Sequence, residues 1–262
     1  MDLKLKGKVA LVSGSTAGIG YAIAAALVRE GATVIVNGRS QSAVTAAIAK
    51  LKGEVGTVDG FAGDLSTAVA AEALAKRFAD VDILINNLGV FEAKPFDEIP
   101  DADWIRLFEV NVLSGVRLSR LYLRGMKARN WGRIIFISSE SGVQIPVEMI
   151  HYGMTKTAQL ALARGLAESV AGTGITVNSV LPGPTRSRGV VDFVEALAKS
   201  EGTSFADVER DFFTTMRPTS LIKRFATPEE VASLVAYLAS PLASATTGAA
   251  LRVDGGVIKS AI

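Results

Sequence analysis

The sequence predicts an α/β chain built on one doubly wound parallel sheet of about seven strands, with helices on both faces, and three observations carry that expectation. Short runs rich in Val and Ile alternate with longer alanine-rich helical stretches, the pattern of strands buried on both faces. A glycine-rich turn joins the first such run to the first helical stretch. With 262 residues, 49% of them hydrophobic, and no long polar linker, the chain can bury one large core.

Residues 9–12 form the first strand. Gly14, Gly18 and Gly20 follow it, residues 21–30 are helix-forming, and Gly31 ends that helix. A second strand at 34–36 completes a strand, turn, helix, strand unit with a right-handed crossover. The glycines permit a tight turn, let backbone amides approach a pyrophosphate and let helix pack closely on strand, so an anion would rest at the positive end of the helix. Their spacing, Gly-x-x-x-Gly-x-Gly, departs from the dinucleotide fingerprint Gly-x-Gly-x-x-Gly, although strand and helix stand on the correct sides of it. Ser15, Thr16 and Ile19 share the turn and join the glycines as candidate cofactor contacts. A third strand precedes Ala62-Gly63-Asp64-Leu65, further strands fall at 83–85, 134–137, 176–180 and 249–253, and helical stretches cover 104–123 and 151–170.

Tyr152 and Lys156 sit four apart in the last of these helices, so both side chains project from one face. An ammonium near a phenol stabilises the phenolate. Lowering a tyrosine from roughly 10 to about 7 takes on the order of 4 kcal/mol. Ser139 stands thirteen residues before Tyr152, at the end of an apolar run. The three read together as a proton-transfer apparatus for carbonyl and alcohol chemistry. Ser138 leaves the serine ambiguous by one position, and the spacing to Tyr152 favours Ser139.

These glycines, followed in order by Asn86-Asn87-x-Gly89, Asn111, Ser139, Tyr152-x-x-x-Lys156, Pro182-Gly183 and Val253-Asp254-Gly255-Gly256, resemble the short-chain dehydrogenase/reductase family over about residues 5–257. The resemblance implies a single Rossmann-type NADP(H)-binding oxidoreductase domain over residues 1–262, with a substrate lid inserted at about 185–217. It implies that Ser139 bonds the substrate oxygen, that Tyr152 gives or takes its proton, and that Lys156 lowers the phenol pKa while binding the nicotinamide ribose. Asn111 resembles the asparagine that holds a relay water. Asp64 resembles the residue reading the adenine amino group, with Leu65 beside it, and Asn87 and Gly89 border the adenosine. Pro182, Gly183, Thr185 and Ser187 belong to a loop that in the family contacts the nicotinamide, Thr185 and Ser187 being candidates for its carboxamide. Leu88 departs from the small alanine usual at that position and would tighten or shift the adenosine pocket. The family also implies a homo-oligomer, a tetramer or a dimer, assembled through helices at 104–129 and 154–170 and the C-terminal strand.

The second strand ends in Asn37-Gly38-Arg39-Ser40, with no acid to accept the ribose hydroxyls and an arginine able to meet a 2′-phosphate. This predicts a preference for NADP(H), with Arg39 and Ser40 on the phosphate and NAD(H) as the alternative; a merely solvated Arg39 is the competing reading. The function expected is hydride transfer between a carbonyl and an alcohol, the alternatives being an NAD-dependent alcohol dehydrogenase and a catalytically silent nucleotide-binding regulatory protein. The lid segment predicts two short helices at 190–199 and 205–213, whose Phe193, Phe205, Phe212 and Phe213 either cover the site or pack the insertion onto the body. Arg186, Arg188 and Arg217 flank it as candidate anion contacts or surface residues, and the resemblance implies that Glu140, Glu148 and Met149 border the pocket.

A formal net charge of +2 offers no basic face for nucleic acid. The absence of cysteine removes disulfides and thiolate chemistry, the lone histidine, His151, leaves no metal site, and it reads either as a substrate contact or as a helix-start residue without chemical duty. The N-terminal residues lack the apolar core of a secretory peptide and no apolar run reaches a membrane span, so a cytoplasmic protein acting on a small molecule is expected.

Overall fold

Seven parallel strands in the order β3-β2-β1-β4-β5-β6-β7 form the single sheet of the computed structural model, which describes residues 2–261, with the side chains at 188, 189, 192, 193 and 201 outside the described set. Along the chain these are β1 (Val9–Val12), α1 (Gly18–Arg29), β2 (Thr33–Gly38), α2 (Gln41–Leu51), β3 (Thr57–Ala62), α3 (Ala68–Arg77) and β4 (Ile83–Asn86). There follow α4 (Asp101–Phe108), α5 (Ser114–Arg129), β5 (Gly132–Ile137), α6 (Ile150–Ser169), β6 (Ile175–Pro182), α7 (Arg188–Glu201), α8 (Phe205–Thr215), α9 (Pro228–Ala239) and β7 (Ala250–Val253). The architecture is the expected Rossmann-type sheet.

Successive strand residues point to opposite faces, which is why these strands are apolar throughout. Ala10, Val12, Val34, Val36, Ile83 and Ile85 pack with α1, α2 and α9 on one face. The intervening Leu11, Ile35 and Leu84 pack with α3, α5 and α6 on the other. The register holds this alternation across strands, with Leu11 opposite Ile35 and Leu84.

Two elements differ from the sequence pattern. The helix expected as one piece from 104 carries a π-helical segment at Glu109–Leu113 between α4 and α5, with Asn111 inside it. Such a bulge inserts one extra residue per turn and re-aims the side chains within it. The insertion forms α7 and α8, and Phe205, Phe212 and Phe213 lie with ring centroids 6.5, 5.2 and 5.1 Å from Phe225. With Val194, Ala198 and Val208 they form a core of the insertion's own, so packing is the role these contacts show. Phe193 and Arg188 lie outside the described side chains. Among the described residues no helix is long and apolar enough to cross a membrane.

Candidate active site

The carboxyl ends of β1, β4, β5 and β6 are neighbours in the middle of the sheet, and the strand order reverses beside β1, where open parallel sheets leave a crevice. The expected site residues hang from these ends or the helices after them, except Arg39 and Ser40, which follow β2, and Asp64 and Leu65, which follow β3.

After β1 the chain turns through Gly14 and Gly18 with φ of +62° and +57°, a conformation that disfavours any side chain. A Cβ on Gly20 would stand 2.4 Å from the Gly14 carbonyl and 2.5 Å from Asn87 Nδ2, so the third glycine is required by close approach. Ser15 is fully buried, its hydroxyl donating to the Val12 carbonyl and accepting from the Asn37 amide, and Asn87 Nδ2 donates to the carbonyls of Ser13 and Gly14. These bonds lock the turn to β2 and β4. Side chains cap α2, α3, α8 and α9 from Ser40, Thr67, Ser204 and Thr227. Helix α1 begins after Ala17 and, like α4, α5, α6 and α7, has no capping side chain; it has no acid in its first turn. Its first amides have no partner within the helix and follow directly on the glycine turn, which fits the diphosphate of a dinucleotide.

Around this cradle, Arg39 and Ser40 are exposed at the end of β2, with Ser40 Oγ engaged as the cap of α2. Asp64 is exposed and accepts from the amide and hydroxyl of Ser66, while Leu65 is buried in the core and offers a ligand only its backbone. Thr16 lies against Gly38, and Ile19 packs into the core below. Leu88 Cδ2 approaches within 3.3 Å of the Cβ position of Gly14, so its bulk sits against the cradle. Gly89 faces Lys156 Nζ at 3.3 Å from its own Cβ position. Beyond β6, Gly183 packs on Asp254, Thr185 is buried with its hydroxyl donating to the Gly183 carbonyl, and Ser187 Cβ lies 3.5 Å from the Cβ position of Gly18. The loop after Pro182 thus crosses the mouth of α1.

The structure separates the two serines. Ser138 Oγ donates to the Lys156 carbonyl and pins β5 to α6, whereas Ser139 Oγ donates to Glu140 Oε2 at 2.5 Å and accepts from the Ser141 amide. Burial pushes the Tyr152 phenol up, the nearby Ser139 hydroxyl opposes this, the charge of Glu140 adds to it and that of Arg217 reduces it. Burial also pulls Lys156 down to about 8. Its ammonium lies 5.5 Å from the Tyr152 ring centroid and donates to the Ile137 carbonyl and to Gln159 Oε1. Desolvation is the largest influence on the phenol in this arrangement.

Asn111 bonds Val90 through both ends of its side-chain amide and also donates to Thr155 Oγ1. Its backbone carbonyl, turned by the π-segment, accepts from Gln159 Nε2 at 2.6 Å. Gln159 thus bridges Lys156 to Asn111, a contact the sequence reading missed. A buried glutamine three residues beyond the lysine on a mostly apolar helix was the available signal. Arg217 is buried, with Nε 3.2 Å from Glu140 Oε1 and Nη1 3.3 Å from Glu148 Oε1, so its charge is matched by two carboxylates. Arg186 is exposed and stacks 4.4 Å from the Phe205 ring. His151 is fully buried with its ring centroid 5.8 Å from that of Trp104, and burial lowers its pKa. Among the described residues no acidic, histidine or cysteine cluster could hold a metal ion.

The sequence profile described as short chain dehydrogenase matches residues 8–197. An uncharacterized oxidoreductase of Bacillus subtilis (strain 168), YvrD, is 51% identical over 263 aligned residues, covering 99% of this chain and 100% of that one. The crystal structure of L-sorbose reductase from Gluconobacter frateurii, complexed with NADPH and L-sorbose, superposes with a TM-score of 0.94 at 32% identity, covering 99% of this chain and 100% of that one. A 7α-hydroxysteroid dehydrogenase complexed with NADH and 7-oxo glycochenodeoxycholic acid superposes with a TM-score of 0.85 at 28% identity, covering 99% and 97%.

Proposed function

The chain belongs to the short-chain dehydrogenase family of oxidoreductases, and from that premise we propose that it interconverts an uncharged ketone or aldehyde and the matching alcohol, with NADP(H) as preferred cofactor. The observation that carries the reading is the meeting of Ser139, Tyr152 and Lys156 at the carboxyl end of β5 and the start of α6. Bound there, the cofactor supplies or accepts the hydride. Amides around Gly14, Ser15, Thr16, Gly18, Ile19 and Gly20 hold the diphosphate, and Asp64, Leu65, Asn87 and Gly89 border the adenosine. Thr185 and Ser187, beyond Pro182 and Gly183, hold the carboxamide, and the α7–α8 insertion serves as the substrate lid. Ser139 orients the substrate oxygen, Tyr152 moves its proton, and Lys156 holds positive charge beside the phenol and binds the ribose. Asn111 and Gln159 connect that lysine to the π-segment.

Preference for NADP(H) is supported by Arg39 with no acid beside it, and by the NADPH in L-sorbose reductase. An uncharged substrate is supported by Arg217, whose charge Glu140 and Glu148 already match, and by the ketose in that neighbour. Self-association into a tetramer or dimer is supported by the exposed Ile105, Phe108 and Leu121 on α4 and α5. The test is turnover followed by cofactor absorbance over a panel of ketones and ketoses, with each cofactor in turn. Tyr152→Phe is expected to lower kcat by about a thousandfold, within the range of lost acid–base catalysis, while leaving cofactor affinity within about twofold. Retained turnover in that variant refutes the mechanism, and a clear preference for NAD(H) refutes the assignment of Arg39.

A further inference from the structure

Ser139 has one hydroxyl hydrogen and two groups that call on it. The phenolate form of Tyr152 would be stabilised by receiving it, while in the structure it goes to Glu140 Oε2 at 2.5 Å. Ser141 donates its hydroxyl to the same carboxylate oxygen at 2.6 Å and its amide to Ser139 Oγ at 3.1 Å. The other carboxylate oxygen faces Arg217 Nε at 3.2 Å, from the far end of the lid segment. Glu140 is 4% exposed and Arg217 9%, so neither side chain is a solvated surface charge, and the carboxylate meets three donors.

We propose that Glu140 is a positioning residue: held by Arg217, it takes the hydrogen of Ser139 and turns the serine so that it meets the reacting oxygen as an acceptor. An alcohol brings a hydrogen to that lone pair, whereas a carbonyl oxygen needs the serine's own hydrogen and must draw it away from a carboxylate. The pair therefore favours the alcohol over the carbonyl in the bound state, and it withholds from the Tyr152 phenolate a hydrogen bond that Ser139 would otherwise give. This deepens the site assigned above and rests on it for Ser139 and Tyr152 alone, not on turnover of any particular substrate.

The test is the phenol titration of Tyr152 in the NADP+-bound protein, read as phenolate absorbance by difference from Tyr152→Phe in the same background. The charged groups around the phenol are Glu140, Arg217 and Lys156. Glu140→Met, which leaves no acceptor for Ser139, is expected to move the midpoint down by about one unit, a tenfold gain in phenolate, since a hydrogen bond to a charged group is involved. Part of that change is the lost negative charge, so the same substitution is made on Ser139→Ala. If Ser139's hydrogen is what Glu140 withholds, the shift on that background falls to half or less. An equal shift with and without Ser139 overturns the inference and leaves a purely Coulombic role. Should the buried Arg217 left unpaired prevent folding, Glu140→Met with Arg217→Met carries the same comparison. Because the readout needs no turnover, a protein silent on every ketone would count against the proposed function and not against this pairing.

Discussion

At the scale of single residues, the site is a contest between burial and hydrogen bonding. Burial pulls Lys156 from 10.5 to about 8. A cation whose folded pKa is depressed costs stability below that value, and the cost is relieved as pH rises from about 8 to 10.5, where the unfolded chain holds more protons. Lys156→Met should therefore be more stable than the unmutated protein at neutral pH, by about 3 kcal/mol at most, and the difference should shrink between pH 8 and 10. Urea midpoints across that range measure it, and a pH-independent difference contradicts the shift. Gln159 gives a second expectation. Gln159→Leu removes the bridge between Lys156 Nζ and the Asn111 carbonyl, so kcat should fall roughly tenfold to hundredfold, the value of a hydrogen bond to a charged group, with KM little changed. Steady-state kinetics decides it, and an unaltered kcat leaves Gln159 a packing residue.

At the scale of elements, α1 and the π-segment matter most. Helix α1 has no side-chain cap and starts within the glycine turn, so its N-terminal amides are available to an anion. Gly20→Ala would force a Cβ to within 2.4 Å of the Gly14 carbonyl. Overpacking of this kind costs about 1–3 kcal/mol, and here it should appear mainly as a five- to hundredfold loss of cofactor affinity in a fluorescence titration, since the turn and the cradle are one structure. Unchanged affinity would separate the two. The π-segment at Glu109–Leu113 explains how Asn111 reaches Val90, Thr155 and Gln159 at once, because a regular helix would rotate one of those contacts away.

For the whole molecule, the central strands deliver the glycine cradle, Asn87, Ser139 and the Pro182 loop to one edge of the sheet, so a ligand there ties β1, β4, β5 and β6 together. Cofactor at a hundred times its dissociation constant should add about 2.7 kcal/mol of stability, or about 5–10 °C in Tm for a chain of this size. Thermal denaturation at equal NADPH and NADH should show the larger shift with NADPH if Arg39 meets the 2′-phosphate. Much of this plan was legible in the residues. The period of the apolar runs and the position of Gly14, Gly18 and Gly20 determined strands, crossover and cradle, because pleat and φ are local properties that neighbouring residues impose. The spacing from Ser139 to Tyr152 and Lys156 likewise marked residues that the fold brings together. Other features were not legible. Glu140 meets Arg217 across 77 positions of sequence, Gln159 meets the carbonyl of Asn111 across 48, and the phenylalanines of the insertion turn into a core with Phe225. Each joins segments that only the packed sheet brings together, and the balance between desolvation and hydrogen bonding at Tyr152 depends on how completely that packing excludes water.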